Sequence, residues 1–132
     1  MPFITRIEVY KFNIPLQAPV TIAIGTIEEA RNILVKIHTS DGLYGTGEGA
    51  PFWMIVGETQ ATAYAVAYDL AKLLIGKNPL DLEGCMAAMD KYLSANPTVK
   101  STLDMALYDL AAKYANMPLY RFLGGTNRPI VT

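Results

Sequence analysis

The residue types that most often carry chemistry are scarce in this chain. His38 is the only histidine and Cys85 the only cysteine among 132 residues. His38 lies in a strand-like run, which indicates a strand residue on the wetter face of a sheet. No Gly-x-Ser-x-Gly sequence could supply the nucleophile of a Ser-His-Asp triad. Cys85 sits in the apolar helical pattern LEGCMAAM, which favours packing over a reactive thiolate.

The other polar candidates lack the spacing of a catalytic or metal site. Asp104 and Asp109 are five residues apart on one predicted helix, so they fall on different faces, in solvated or capping roles. The run GTGEG has no third glycine and does not open a helix, so it does not predict a dinucleotide loop. Glu48 is either a polar group near a site or a partner for backbone donors. Taken alone, the residues predict no catalytic group and no metal ligand.

One stretch stands out for its apolar character. In GEGAPFWMIVGET, the five large apolar residues Phe52–Val56 stand between Pro51 and Gly57, and they include the only tryptophan. A buried strand would explain the apolar run. The alternative is a lid that presents apolar side chains to a substrate and expels water. The flanking Pro and Gly and the lack of alternation favour the lid.

The first half of the chain has the pattern of strands. In Ile4–Ile14 apolar residues alternate with polar ones, and Pro15 ends the run. Residues Pro15–Glu29 look like a loop punctuated by Pro and Gly. Ile33–His38 and Leu43–Glu48 flank Ser-Asp-Gly, a strong hairpin signal. This half predicts a small antiparallel sheet of three strands.

The second half has the pattern of helices. Glu58–Gly76 is rich in Ala and Leu, with Thr59 as a cap and a terminal glycine as a stop. A second helix is predicted within residues 79–96, a third from residue 98 onward, and a short fourth at Leu119–Leu123. A sheet followed by a bundle of three to four helices is an α+β fold.

Composition excludes several classes of function. The chain is 52% hydrophobic and 17% charged, with a formal net charge of −1. Nucleic acid or an anionic membrane would call for a clustered basic face, so we predict neither as a partner. No apolar run reaches transmembrane length and the first residues lack a signal-peptide core. The single cysteine fits a reducing compartment, so we predict a cytoplasmic location.

Three blocks carry a family resemblance across the whole chain. They are the opening ITRIEVYKFNIPLQAP, the hairpin return GLYGTGEGAPF (Gly42–Phe52), and KSTLDMALYDLAAKYANMPLYRFLGG (Lys100–Gly125). In this order they resemble the N-terminal capping domain of the enolase superfamily, in its mandelate racemase/muconate lactonizing branch. The dipeptide epimerases are the nearest match. The resemblance implies an enolase N-terminal domain-like fold.

The resemblance also implies that two domains have different roles. Residues 1–125 would be the capping, specificity-determining domain, and residues 126–132 the linker or first strand of a (β/α) barrel that this chain does not contain. In the family, that barrel carries the lysine acid/base pair and the acidic ligands of one Mg²⁺, and the reaction removes a proton alpha to a carboxylate or carbonyl. The resemblance therefore implies that this chain is a fragment, inactive alone, whose Mg²⁺ is bound by the barrel.

Two loops of the family's capping domain close over the substrate. They correspond here to Pro19–Glu29 and Ala50–Thr59. Gly25 stands where epimerases of acidic dipeptides often carry a carboxylate-binding arginine, so the resemblance implies an apolar dipeptide. In the alternative reading Gly25 is only a turn residue. The substrate-binding residues implied by the resemblance are Ile24, Gly25, Thr26, Phe52, Trp53, Met54 and Ile55.

Other functions remain open at this point. The same capping domain serves N-acylamino acid racemases, o-succinylbenzoate synthases and muconate cycloisomerases. From a different class, a stand-alone protein-binding module could dock a partner through the apolar loop. Because surface that would face the barrel is exposed in this chain, we predict that the isolated chain self-associates and buries Phe52–Val56 or Leu119–Leu123, and we expect a homo-oligomer.

Overall fold

A computed structural model describes residues 1–132 as a three-stranded antiparallel sheet with helices packed on one face. The strands are β1 (Ile4–Ile22), β2 (Gly25–Thr39) and β3 (Tyr44–Gly49), in the spatial order β1-β2-β3. The helices are α1 (Trp53–Val56), α2 (Gln60–Leu74), α3 (Leu82–Tyr92), α4 (Pro97–Tyr114) and α5 (Leu119–Phe122). This architecture confirms the predicted α+β fold.

The core lies between the central strand and the long helices. Alternation along β2 turns Ile33, Val35 and Ile37 inward, and all three are fully buried. They join one apolar cluster with α4 residues such as Leu103 and Leu107. Burying each such side chain contributes about 1.5 to 3 kcal/mol. The sheet is therefore fixed to the helices along the middle of β2.

The hairpin of β1 and β2 extends much further than the sequence predicted. Residues 15–29 form its distal half, so the prediction that they form a loop was wrong. β1 advances from Pro15 to Val20 while β2 moves only from Glu29 to Ile27, which makes a bulge on β1. Pro lacks the N–H that a ladder requires, but β1 is an edge strand and its bulge tolerates that loss.

Alternate glycines on β3 allow the strand to lie against the backbone of α4. A Cβ atom at Gly45 would overlap the carbonyl oxygen of Ala106, and one at Gly47 would overlap the carbonyl oxygen of Thr102. A Cβ at Gly49 would overlap the hydroxyl of Thr102. All three glycines are buried. The run GTGEG is therefore a surface for close packing of a helix on a strand.

The helix ends follow local signals that the sequence carries. Thr59 caps α2, since its hydroxyl accepts the N–H of Thr62 while the Thr62 hydroxyl accepts the N–H of Thr59. Asp81 caps α3 by accepting the N–H of Gly84 at 3.0 Å. Gly76, just beyond α2, has φ +83°, a conformation that glycine adopts at low cost. None of the helices combines the length and apolar character that a bilayer span requires.

The close packing of β3 on α4 gives a direct prediction. In Gly47→Ala, the new methyl group must displace a backbone carbonyl of α4, so we expect the free energy of unfolding to fall by about 2 to 3 kcal/mol. Thr46→Ala is the matched control, because Thr46 is exposed on the same strand and should change stability by less than about 1 kcal/mol. Urea denaturation measures both. Equal losses in the two variants would contradict the packing role.

Candidate functional site

The chain's few reactive residue types lie in structural positions. His38 is on the outer face of the sheet, where its Nε2 is 2.7 Å from Glu8 Oε2 and 3.2 Å from Arg6 Nη2. Cys85 is buried in α3, and burial raises the pKa of its thiol. Both positions confirm the predictions of a strand residue and a packed cysteine. Neither group faces a cavity in which it could act on a ligand.

Of the three acidic candidates, one has a role that the sequence did not predict. Asp109 Oδ2 accepts the backbone N–H of Thr46 at 2.9 Å, so it covers the free edge of β3, and it also lies 3.1 Å from Lys113 Nζ. The predicted solvated or capping role for Asp109 was wrong. Asp104 is half-buried in α4, and burial raises the pKa of its carboxyl. Glu48 is exposed and makes no hydrogen bond to a backbone donor.

The donor groups of this chain do not fit a magnesium site. Nowhere do three or more carboxylate, imidazole or thiol groups come together in an arrangement that could hold a metal ion. Mg²⁺ requires octahedral oxygen coordination, which scattered single carboxylates do not supply.

The main candidate site is a cleft of about 220 Å³ between the distal hairpin and the segment that follows β3. Leu16 and Val20 of β1 and Ile27 of β2 form its apolar wall, and Phe52 and Trp53 form the opposite side. The rings of Phe52 and Trp53 meet edge to face at 6.0 Å. The cleft can exclude water and select a shape, and its charged lining residues are Glu29 and Arg31.

The apolar segment, residues 52–56, is not a buried strand. Trp53–Val56 forms a single helical turn with no buried residue, and it ends at Gly57 in a left-handed conformation. Trp53 is 39% exposed and Ile55 68% exposed. The reading of this stretch as a buried strand was therefore wrong. The apolar segment presents large side chains outside the domain's own core.

The tip of the hairpin touches the apolar segment. A Cβ atom at Gly25 would lie 2.7 Å from Met54 Cε and 2.9 Å from Met54 Sδ, so the present contact requires the absence of a side chain there. From the set implied by the resemblance, the structure brings Gly25 against Met54 and places Phe52 and Trp53 at the cleft. Gly25 and Met54 do not line the cleft, and neither do the other three residues: Ile24 is 61% exposed, Thr26 pairs with Thr21 across the hairpin at 3.1 Å, and Ile55 is exposed.

Several cleft residues escaped the sequence analysis. Val20, Ile27 and Glu29 lie within the predicted substrate-closing loop Pro19–Glu29 but were not named as site residues, and Leu16 and Arg31 lie outside it. Arg31 and Trp53 also line an adjoining cleft of about 330 Å³. The available signal was the alternation of β2: continued back from Ile33, it places positions 31, 29 and 27 on one face.

Comparison with known proteins identifies a family and close relatives. The family described as "Mandelate racemase / muconate lactonizing enzyme, N-terminal domain" matches residues 4–124. The chain is 44% identical over 128 residues to a D-Ala-D/L-Ala epimerase of Cytophaga hutchinsonii, covering 97% of this chain and 35% of that protein. It is 39% identical over 129 residues to a hydrophobic dipeptide epimerase of Enterococcus faecalis, covering 98% of this chain and 36% of that protein.

A solved structure gives the same result. The crystal structure of a dipeptide epimerase from Cytophaga hutchinsonii, complexed with Mg and the dipeptide D-Ala-L-Val, superposes with a TM-score of 0.94 at 43% sequence identity. The match covers 98% of this chain and 35% of that chain. The present chain therefore spans about a third of the length of these relatives.

The contact between the hairpin tip and the apolar segment predicts coupling between residues 25 and 54. Gly25→Val requires the flexible end of the Met54 side chain to move, and Met54→Ala removes that requirement, so the cost of Gly25→Val should be smaller in the Met54→Ala background. We expect a coupling energy of about 1 kcal/mol in a double-mutant cycle measured by urea denaturation. Thr26→Ala combined with Met54→Ala is the control and should be additive within about 0.5 kcal/mol. Additivity of the Gly25 and Met54 changes would refute the contact.

Proposed function

The chain belongs to the mandelate racemase/muconate lactonizing enzyme N-terminal domain family of the enolase superfamily, and from this we propose that it is the capping domain of a dipeptide epimerase. In this proposal residues 1–125 form the capping domain and residues 126–132 begin the connection to a (β/α) barrel. The barrel would remove and return a proton alpha to a carboxylate. The observation that carries the proposal is the exposed apolar segment beside a cleft, in a fold shared with dipeptide epimerases.

Within that enzyme, the proposed role of this chain is to bind, orient and enclose the substrate. Phe52 and Trp53 on one side of the cleft, and Val20 and Ile27 on the other, offer an apolar surface that would exclude water over the reacting carbon. Excluding water strengthens electrostatic interactions inside a site. The chain would thereby contribute to catalysis without supplying a catalytic group.

The proposed substrate is a dipeptide with apolar side chains. Gly25 carries no side chain to bind a carboxylate at the hairpin tip, and the space beside it is filled by Met54. The charges at the cleft, Glu29 and Arg31, are of opposite sign, so the cleft has no excess positive charge to select an acidic ligand. The names of the two epimerases and the D-Ala-L-Val ligand of the solved relative support this class.

Magnesium is part of the proposal only through the relatives. The structure from Cytophaga hutchinsonii contains Mg together with a dipeptide. In the proposed enzyme the ion would stabilise negative charge that develops on the substrate carboxylate. Its ligands and the acid/base groups would lie outside residues 1–132. We propose the cytoplasm as the location, which suits a single reduced thiol.

The test is an assay of the complete polypeptide in which this chain is joined to its barrel. Exchange of the alpha proton of L-Ala-L-Val and of L-Ala-L-Glu is followed by NMR in D₂O with Mg²⁺ present. We expect kcat/KM to favour L-Ala-L-Val by about tenfold or more, the discrimination that an apolar pocket gives. The 132-residue chain alone should show no exchange. Failure to exchange any dipeptide would refute the proposal, and activity on N-acylamino acids alone would assign another member of the branch.

Trp53 gives a second prediction for the same assay. Because its side chain lines the cleft, Trp53→Ala should lower kcat/KM for L-Ala-L-Val by about tenfold to a hundredfold. Tyr92→Ala is the control, because Tyr92 is an exposed aromatic residue at the end of α3 and does not line the cleft. Equal effects of the two substitutions would exclude Trp53 from substrate binding.

We also propose that the isolated chain self-associates through its exposed apolar side chains. Ile55 is 68% exposed, Val56 48% and Leu123 62%, and contiguous apolar surface of several hundred Å² drives association. Sedimentation should show a mass that rises with concentration, and Ile55→Glu should reduce the rise more than Tyr92→Glu. A monomer at every concentration would contradict this.

A further inference from the structure

Both ends of the apolar segment meet the first turn of α4. The chain leaves β3 at Gly49, passes through residues 52–56, and reaches α2 through Glu58 and Thr59. Thr98 of α4 lies beside both flanks of the segment: its N–H donates to Glu58, and its Cγ2 would lie 3.3 Å from a Cβ atom built at Gly49. The first turn of α4 thus lies against the chain on both sides of the apolar segment.

The first end is held by steric fit. Gly49 is buried and faces Thr98 and Thr102, with no room for a side chain. Pro51, two residues on, is also buried and has a fixed φ angle. The backbone before Phe52 therefore has little freedom to shift.

The second end is held by a buried carboxylate. Glu58 is only 5% exposed. Its Oε1 accepts the N–H of Thr98 at 3.1 Å and its Oε2 accepts the N–H of Val99 at 3.3 Å. Hydrogen bonds with an ionised acceptor are about twice as strong as neutral ones. The residue directly before Glu58 is Gly57, where the apolar segment ends.

α4 depends on this carboxylate because its own sequence provides no cap. The side chain of the N-cap residue Asn96 makes no capping hydrogen bond, and the first turn contains no acidic residue. Pro97 has no N–H to satisfy, and the N–H of Lys100 already donates to the carbonyl of Asn96 at 3.2 Å. The two remaining donors are those of Thr98 and Val99, which both donate to Glu58.

We propose that Glu58 is a positioning residue, which sets the place of the apolar segment relative to the cleft by fixing its end to α4. The Glu58 side chain then has two effects. It satisfies the N–H groups at the N-terminus of α4, and it sets the position of Trp53. The importance of this for catalysis depends on the proposed function, whereas the positioning itself is a property of the 132-residue chain. It can therefore be measured without a substrate.

The test uses Trp53, the only tryptophan, as a reporter of the apolar segment. In Glu58→Gln the amide retains one acceptor oxygen but sets an NH₂ group against a backbone donor. We expect the amide protons of Thr98 and Val99 to exchange with solvent about tenfold to a hundredfold faster, the loss of a hydrogen bond to a charged group. We also expect Trp53 emission to shift to longer wavelength and its quenching by acrylamide to increase.

Two further variants separate positioning from general stability. Asp81→Ala removes the cap of α3, so it weakens a different helix N-terminus in the same way and should leave Trp53 emission unchanged. Glu58→Asp retains the charge but is one methylene shorter, so its effects should fall between those of wild type and Glu58→Gln. Glu58→Asp also decides the question if Glu58→Gln does not fold.

Faster exchange at Thr98 and Val99 with unchanged Trp53 emission would overturn the proposal, because Glu58 would then only cap α4. Equal shifts of Trp53 emission in the Glu58 and Asp81 variants would overturn it as well. A complete polypeptide with no epimerase activity would refute the proposed function and leave these measurements unaffected.

Discussion

The close approach of α4 to β3 determines where the helices, the sheet and the apolar segment lie relative to one another. Three glycines on alternate positions of β3 let the helix backbone lie where side chains would otherwise stand. This fit lets the sheet pack closely on α4, and Val35 of the sheet and Leu107 of the helix belong to the same apolar cluster. It also brings the first turn of α4 beside Gly49, where β3 ends. A strand with ordinary side chains would hold the helix further away, and Glu58 could not then reach the N–H groups of Thr98 and Val99.

The packing of α4 on β3 also determines where the candidate site lies. The distal hairpin extends beyond the core, where its two strands pair with each other and Gly25 at its tip lies beside Met54 of the apolar segment. The apolar segment is fixed at the residues that flank it and exposed at its centre, so the large side chains of Trp53, Ile55 and Val56 are not covered by this domain. Apolar surface kept out of a domain's own core, beside a cleft, suits contact with a ligand and with further polypeptide. The capping role proposed here uses both properties.

Sequence reasoning succeeded where the signals are local and failed where they are not. Thr59 at the start of α2 and the three-strand, multi-helix order could be predicted, because capping, turn and periodicity signals act within a few residues. Pro15 and Pro19 concealed the long hairpin, since a proline ends a central strand but not a bulged edge strand. The roles of Gly47 and Asp109 could not be predicted, because each is defined by a partner distant in sequence. Leu16 was not placed in the cleft wall for the same reason, although Val20 and Ile27 lie in the loop predicted to close over the substrate.

The central claim is that Trp53 and its neighbours enclose an apolar dipeptide over chemistry that lies elsewhere. The most direct measurement is the part of the tryptophan emission of the complete polypeptide that Trp53→Phe removes, followed during titration with L-Leu-L-Tyr in the presence of Mg²⁺, with Tyr emission avoided by selective excitation. We expect a saturable shift to shorter wavelength, because the indole loses contact with water. Turnover of the dipeptide with no change in Trp53 emission would contradict it.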